Sequence, residues 1–380
     1  MNFKSWLLAT AVLVALIPFS ASAHDWHRHA DDRSHHGGVS HAEFQTDVEV
    51  DDTQRAYILT GHVQEDASDE SDIARHFEHF RNVKVHSNAE TLFVESNGLP
   101  DHNMMVGIRS WQQQVPLPQP YTGNNAWQIP LKPRLADKPI PAKVSLFRGA
   151  IALAVNGVPI FNALNNRGDD AFLAGELDQW GGHCGRGDDY HYHIAPVHLE
   201  DIVGKGQPIA FALDGFPIYG LTEADGSAVG ELDEFNGQFD EEGNYHYHAT
   251  KTFPYINGGM RGVVTVQGGQ IEPQPRDSPI RPPLQPLSGA IITEFKMTKT
   301  RSVLTYRLRT QTGTVSYVPA GDSAYEFTYH EPSGKTWSET YERRAPGQRN
   351  SLNGPGPSVA LIASCIVLAC VIAYFGWRNR

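Results

Sequence analysis

The tetrapeptide Tyr-His-Tyr-His occurs twice, at 190–193 and 245–248, and it constrains this chain more than any other feature. An alternating Tyr/His run suits an extended strand, where neighbouring side chains point to opposite faces and residues two apart share one. Each copy then sets two imidazoles on one face, about 7 Å apart along the strand, and two tyrosines on the other. The copies belong to a larger repeat. Each begins thirteen residues after the leucine of a Leu-Asp pair (Leu177-Asp178, Leu232-Asp233), with an aromatic (Trp180, Phe235) and a glycine (Gly182, Gly237) between, all offset by 55 residues. A constant offset over so many positions means one structural unit used twice.

Hairpin signals accompany both copies. Ser145 to Phe161 reads as two strands joined at Asn156-Gly157, and Ile209 to Tyr219 as two strands joined at Asp214-Gly215. Seven prolines between Pro116 and Pro141 block long helices. The expected fold is mainly β: hairpin and Tyr-His-Tyr-His units repeated inside one core domain, followed by a small β-rich C-terminal subdomain and one C-terminal transmembrane helix.

The ends bound the organisation. Residues 1–23 read as a secretory signal, with Lys4, an apolar run from Trp6 to Phe19 and the small-x-small site Ala21-Ser22-Ala23. Residues 24–45 form a tail with six histidines between His24 and His41, suited to loose metal capture. Then come an N-terminal β and short-helix extension (46–82), the core domain (83–272), a proline-rich linker (273–286), the β-rich subdomain (287–342) and a spacer (343–357). The run from Ser358 to Trp377 is twenty residues without a charge, long enough to span a bilayer, and Arg378 and Arg380 in the 378–380 tail favour the cytoplasmic side. A processed sorting tail fits the same pattern. The expected location is thus outside the cytoplasm, tethered to the membrane. A net charge of −12 without a basic stripe argues against nucleic acid.

Histidine is the commonest metal ligand, and neutral imidazole suits zinc and copper. His191 with His193, and His246 with His248, are the expected ligands of one transition-metal site, Cu or Zn. His183 and Asp214 are the likeliest additions, and Asp188 and Asp189 can orient the rings. The second unit has Gln238 where the first has His183, so the halves are not equivalent. Cys184 follows His183 directly and, on a strand, points the other way. An equally concrete alternative buries the histidines in a hydrogen-bond network with Asp178, Asp214 and Asp233 and binds no metal. Such a chain would be a structural or adhesion domain. A third reading uses the same metal for hydrolysis or redox chemistry.

Several longer motifs look familiar together: Asn97-Gly-Leu-Pro-Asp-His102, Val155-Asn-Gly-Val-Pro-Ile-Phe161, Leu213-Asp-Gly-Phe-Pro-Ile-Tyr-Gly220, both tetrapeptides and Phe253-Pro-Tyr255. Over roughly 83–268 the chain resembles the YHYH domain family of exported proteins. The resemblance implies no particular reaction. It does imply cysteine where this chain has Phe235 and Gly259, so a crosslink is missing here as a pair.

Overall fold

The computed structural model describes residues 72–277 and 279–343. The expected signal, histidine-rich tail and C-terminal span lie outside these residues. Among the described residues no helix is long and apolar enough to cross a membrane.

The chain enters an antiparallel three-stranded sheet: β1 (Lys84–Ser87), β2 (Thr91–Glu95) and β3 (Trp127–Pro130). Alternation decides its buried face. Leu92, Val94, Trp127 and Ile129 are buried, while their neighbours in β2 and β3 are only half-buried. β4 (Leu135–Pro141) and the single-turn helix α1 (Ala142–Ser145) lead into the repeats.

The first repeat supplies β5 (Ala150–Ala154), β6 (Pro159–Phe161), β7 (Gly182–Cys184) and β8 (Tyr190–Tyr192). After a short helix α2 (Glu200–Val203), the second supplies β9 (Ala210–Ala212), β10 (Pro217–Tyr219), β11 (Gly237–Phe239) and β12 (Tyr245–His248). All eight join one sheet in the order β11-β12-β10-β9-β5-β6-β8-β7. That order is a palindrome of the repeat. In each half the hairpin strands pair antiparallel, the second hairpin strand pairs parallel with the tetrapeptide, and the tetrapeptide pairs antiparallel with the outermost strand. The halves meet at β5 and β9, where Leu153 lies opposite Phe211, its counterpart in the other repeat. A pseudo-two-fold axis therefore passes through that pair, as in a self-complementary dimer interface. Ala150 to Val155 and Ile209 to Ala212 are almost wholly buried, so the axis runs through the core.

The turn glycines behave as the hairpin reading requires, with φ of +76° at Gly157 and +95° at Gly215. The glycines of the repeat have a different cause. A Cβ at Gly182 would collide with the Tyr190 hydroxyl, and one at Gly237 with the Tyr245 hydroxyl. Glycine is there so that a tyrosine can cross the backbone of the neighbouring strand.

β13 (Gly259–Gly262) pairs with β4, and β14 (Thr265–Gln267) with β15 (Gln270–Glu272). The proline-rich segment that follows is docked rather than free: Arg281 is buried, and its Nε donates to Asp188 Oδ2 at 2.8 Å. The C-terminal meander of β16 (Ala290–Met297), β17 (Ser302–Leu308), β18 (Gln311–Pro319), β19 (Ala324–His330) and β20 (Thr336–Glu342) packs on the core. The Trp111 ring packs tilted against that of Tyr306 at 5.2 Å, and the Ile292 N–H donates to the Ile108 carbonyl at 3.1 Å.

Candidate metal centre

Register places His183 of β7 directly opposite His191 of β8, and Gly182 opposite Tyr192. His183, His191 and His193 therefore share one face, with ring centroids 4.9–5.0 Å apart. Each ring is turned by a hydrogen bond on its far side. His191 Nδ1 donates to the Asp189 carbonyl at 3.0 Å, with an Asp189 carboxylate oxygen at 3.3 Å. His193 Nδ1 donates to the Asn162 carbonyl at 2.6 Å, and His183 is bonded to the Glu176 carbonyl. In His191 and His193, with Nδ1 protonated and engaged, Nε2 is left as a lone pair. The Nε2 atoms of His183 and His193 then face each other at 3.0 Å. Together the three residues offer ligand atoms lying within 4.8 Å of one another.

The surroundings keep His183 and His193 neutral. Burial, then the neighbouring imidazoles, holds His193 down to about 3 and His183 well below the usual histidine range. His191 and His193 are buried, whereas His183, on the edge strand, is half-buried. The neutral ring is the form that binds metals.

The second tetrapeptide forms its own group of Glu223, His246 and His248, whose ligand atoms also meet the 4.8 Å limit. Gln238 stands opposite His246, as His183 stands opposite His191. Its amide nitrogen donates to Glu223 Oε1 at 2.7 Å and lies 3.3 Å from Nε2 of both His246 and His248. His248 Nδ1 donates to the Gly220 carbonyl at 3.1 Å. The second group thus has an amide donor built in where the first has an imidazole.

The four tetrapeptide histidines do not converge, which corrects the single four-imidazole site. β8 and β12 each lie next to an edge of the sheet, with β6, β5, β9 and β10 between them. The aspartates also serve a different partner from the one expected. Asp178 Oδ2 accepts the Tyr190 hydroxyl at 2.8 Å, and Asp233 Oδ2 accepts that of Tyr245 at 2.9 Å. Asp214 accepts the Tyr247 hydroxyl at 2.6 Å and the Gly262 N–H at 2.9 Å. It stands on the tyrosine side, in neither histidine group. In each repeat the other Leu-Asp oxygen accepts the N–H groups of the aromatic and the glycine (Trp180 and Gly182, Phe235 and Gly237). That turn, with the tyrosine bond, accounts for the repeated aspartate and first tyrosine of the 55-residue offset.

Residues 126–229 match the family described as YHYH protein. Over these residues the chain is similar to the YHYH family. The match lies inside the 83–268 expected from resemblance and ends before the second tetrapeptide. No curated protein and no solved structure matches the chain. The positions where the YHYH resemblance implies a cysteine pair are in contact, since a Cβ at Gly259 would come within 2.6 Å of the Phe235 ring. The aromatic ring fills the space here.

Cys184 pairs in register with Tyr190 and is buried and free. Burial pushes its thiol well above the ordinary value, so it is no activated nucleophile. Asp188 is engaged by Arg281, leaving Asp189 as the carboxylate beside His191. Two contributors had no distinctive signal in the YHYH sequence. Glu223 has no acidic counterpart in the first repeat. His102 reads there as part of a turn, yet its Nε2 accepts the Tyr192 hydroxyl at 2.7 Å while its Nδ1 donates to Asn103.

Proposed function

We propose that the YHYH domain is a transition-metal-binding module whose single tight site is His183, His191 and His193, taking zinc or copper. One observation carries the reading: His191 and His193 have their Nδ1 sides turned to the carbonyls of Asp189 and Asn162, and the ligand nitrogens of His183, His191 and His193 converge within 4.8 Å. Facing lone pairs at 3.0 Å repel unless a proton or a cation sits between them. Carbonyl-oriented imidazoles are the usual outer shell of a histidine metal site. Three protein nitrogens leave a fourth tetrahedral position for water or a ligand, the arrangement of sites that activate water rather than of closed structural ones. The N- and C-terminal sequence supports an exported, membrane-tethered location for this site.

The second group supports a different role. The Gln238 amide already satisfies Glu223 and approaches both imidazoles, so a hydrogen-bonded network serves there without a metal.

The test is elemental analysis of the full chain with its six histidines between 24 and 41 changed to alanine, so that the tail cannot mimic the site. After loading with zinc or copper and desalting, one equivalent of metal is expected. It should vanish in His191→Ala/His193→Ala and persist in His246→Ala/His248→Ala. A chain that emerges metal-free from both loadings defeats the proposal.

A further inference from the structure

The turn from Gly185 to Asp189 joins β7 to β8, the strands that bring His183 opposite His191. The Asp189 carbonyl accepts the Gly185 N–H at 2.9 Å and His191 Nδ1 at 3.0 Å, so the shape of the turn sets the orientation of that ring. Asp189 Oδ1 accepts the Gly187 N–H at 3.0 Å, and its other oxygen lies 3.3 Å from His191 Nδ1. The residue before it is held in a conformation few side chains adopt: Asp188 has φ +57°. The second repeat makes the same turn without this strain. There the Asp240 N–H donates to the Asn244 carbonyl at 2.9 Å, and Gly243, 55 residues after Asp188, takes φ +84°. Glycine meets no steric cost at such a position, so an aspartate in it calls for a reason.

The reason is the partner of its carboxylate. Asp188 is 3% exposed and accepts both sides of the Arg281 fork, Nε on Oδ2 and Nη2 on Oδ1. Arg281 is buried as well. Its Nη2 also donates to the Gln113 carbonyl at 2.9 Å and its Nη1 to the Tyr329 hydroxyl at 3.3 Å, and the guanidinium lies 4.6 Å from the centre of the Phe327 ring. Phe327 and Tyr329 belong to β19. Direct contacts therefore run from the C-terminal meander through Arg281 and Asp188 to the residue that aims His191. In the second repeat residues 241–244 are exposed, and a glycine offers no such handle.

We propose that Arg281 is a positioning residue for the metal centre: it holds Asp188 in the left-handed conformation that points the Asp189 carbonyl at His191, so metal affinity depends on docking of the meander. The effect on affinity presupposes the metal centre proposed above, whereas the ring orientation is readable without metal.

The deciding variant copies the second repeat. Asp188→Gly/Arg281→Met removes both buried charges together, so neither is left unpaired, and glycine accepts the positive φ. In the full chain with its tail histidines changed to alanine, long-range proton–nitrogen NMR reads the imidazoles without metal, and competition with a chelator reads zinc affinity. His191 is expected as the Nδ1–H tautomer in the unaltered protein and as a mixture of tautomers in the double variant. His193, bonded to the Asn162 carbonyl, should not change. Zinc affinity should fall roughly ten- to a hundredfold. Arg281→Lys keeps the charge but loses the two-point hold, so it should shift both readings less, and it decides the matter if the double variant does not fold. Either reading left unchanged in a folded variant overturns the proposal, since a purely structural Arg281 lowers stability alone. If the unaltered chain takes up no zinc, the metal reading fails, and the His191 tautomer still decides the role of Arg281.

Discussion

His183 and Gln238 occupy the same place in the two repeats, each directly opposite the first histidine of its tetrapeptide. That one difference separates the halves chemically. An imidazole there adds a third nitrogen able to ligate a metal, and an amide adds a donor that ties the other two together.

Exchange of these two residues should therefore exchange the behaviour of the groups. His183→Gln is expected to lower metal affinity at least tenfold, the scale on which even residues supporting a metal ligand act. Gln238→His should raise the bound metal from one equivalent towards two. Metal content and calorimetric titration of both variants, with the tail histidines removed, decide the matter.

The tyrosine face predicts stability rather than binding. Tyr190→Phe takes the hydroxyl donor from Asp178, which is buried and pushed up to about 6 by that burial. The expected loss is about 1–3 kcal/mol in urea unfolding. Tyr245→Phe should cost less, about 1 kcal/mol, because Asp233 is exposed and water replaces the lost donor.

Gly182→Ala should be among the most damaging single methyl additions. The new Cβ meets the Tyr190 hydroxyl, its ring carbon Cζ at 2.5 Å and the His191 carbonyl at 2.8 Å. Overpacking of this kind costs about 1–3 kcal/mol. Tyr190→Phe relieves the hydroxyl clash alone, so the double variant should lose less stability than the two single losses added together.

His198 gives a pH signature. Burial, then His102, lowers it to about 4, so the folded protein stays unprotonated there while the unfolded chain takes up a proton near 6.5. The unfolded state binds more protons across that window, and stability falls as the pH drops from 6.5 towards 4. Asp178 acts with the opposite sign: held near 6 when folded, it keeps a proton that the unfolded chain releases, and its contribution is lost as the pH rises through 6. His198→Phe should flatten the acid limb of a melting-temperature profile by up to one proton and leave it unchanged above pH 7.

Cys184 should resist thiol reagents in the native protein. It is 2% exposed with its thiol pushed well up by burial, so labelling by a disulfide reagent should proceed only as fast as unfolding exposes it. Prompt labelling of the native chain would contradict this.

Much of the site was legible residue by residue. Alternation alone separates His191 and His193 from Tyr190 and Tyr192, and adjacency alone turns Cys184 away from His183. The Asn156-Gly157 and Asp214-Gly215 turns announce their hairpins because few residues adopt positive φ there. The roles of Asp178 and Asp233 were not legible, because a carboxylate near both a tyrosine and a histidine can serve either. Distance along the chain does not choose between them. His102 was hidden for the same reason, its partner Tyr192 lying 90 residues away.

Periodicity and the constant offset set the β class, the doubled unit and the histidine face of each tetrapeptide, since these depend on backbone geometry within a few residues. Which strands neighbour one another depends instead on pairing across long connections. Packing alone produced the palindromic order that sends β8 and β12 towards opposite edges. The same pairing put His183 beside His191, Gln238 beside His246 and Asp214 under Tyr247. A four-histidine site became two three-residue groups because the repeats meet through Leu153 and Phe211 at their hairpins, and not through their tetrapeptides.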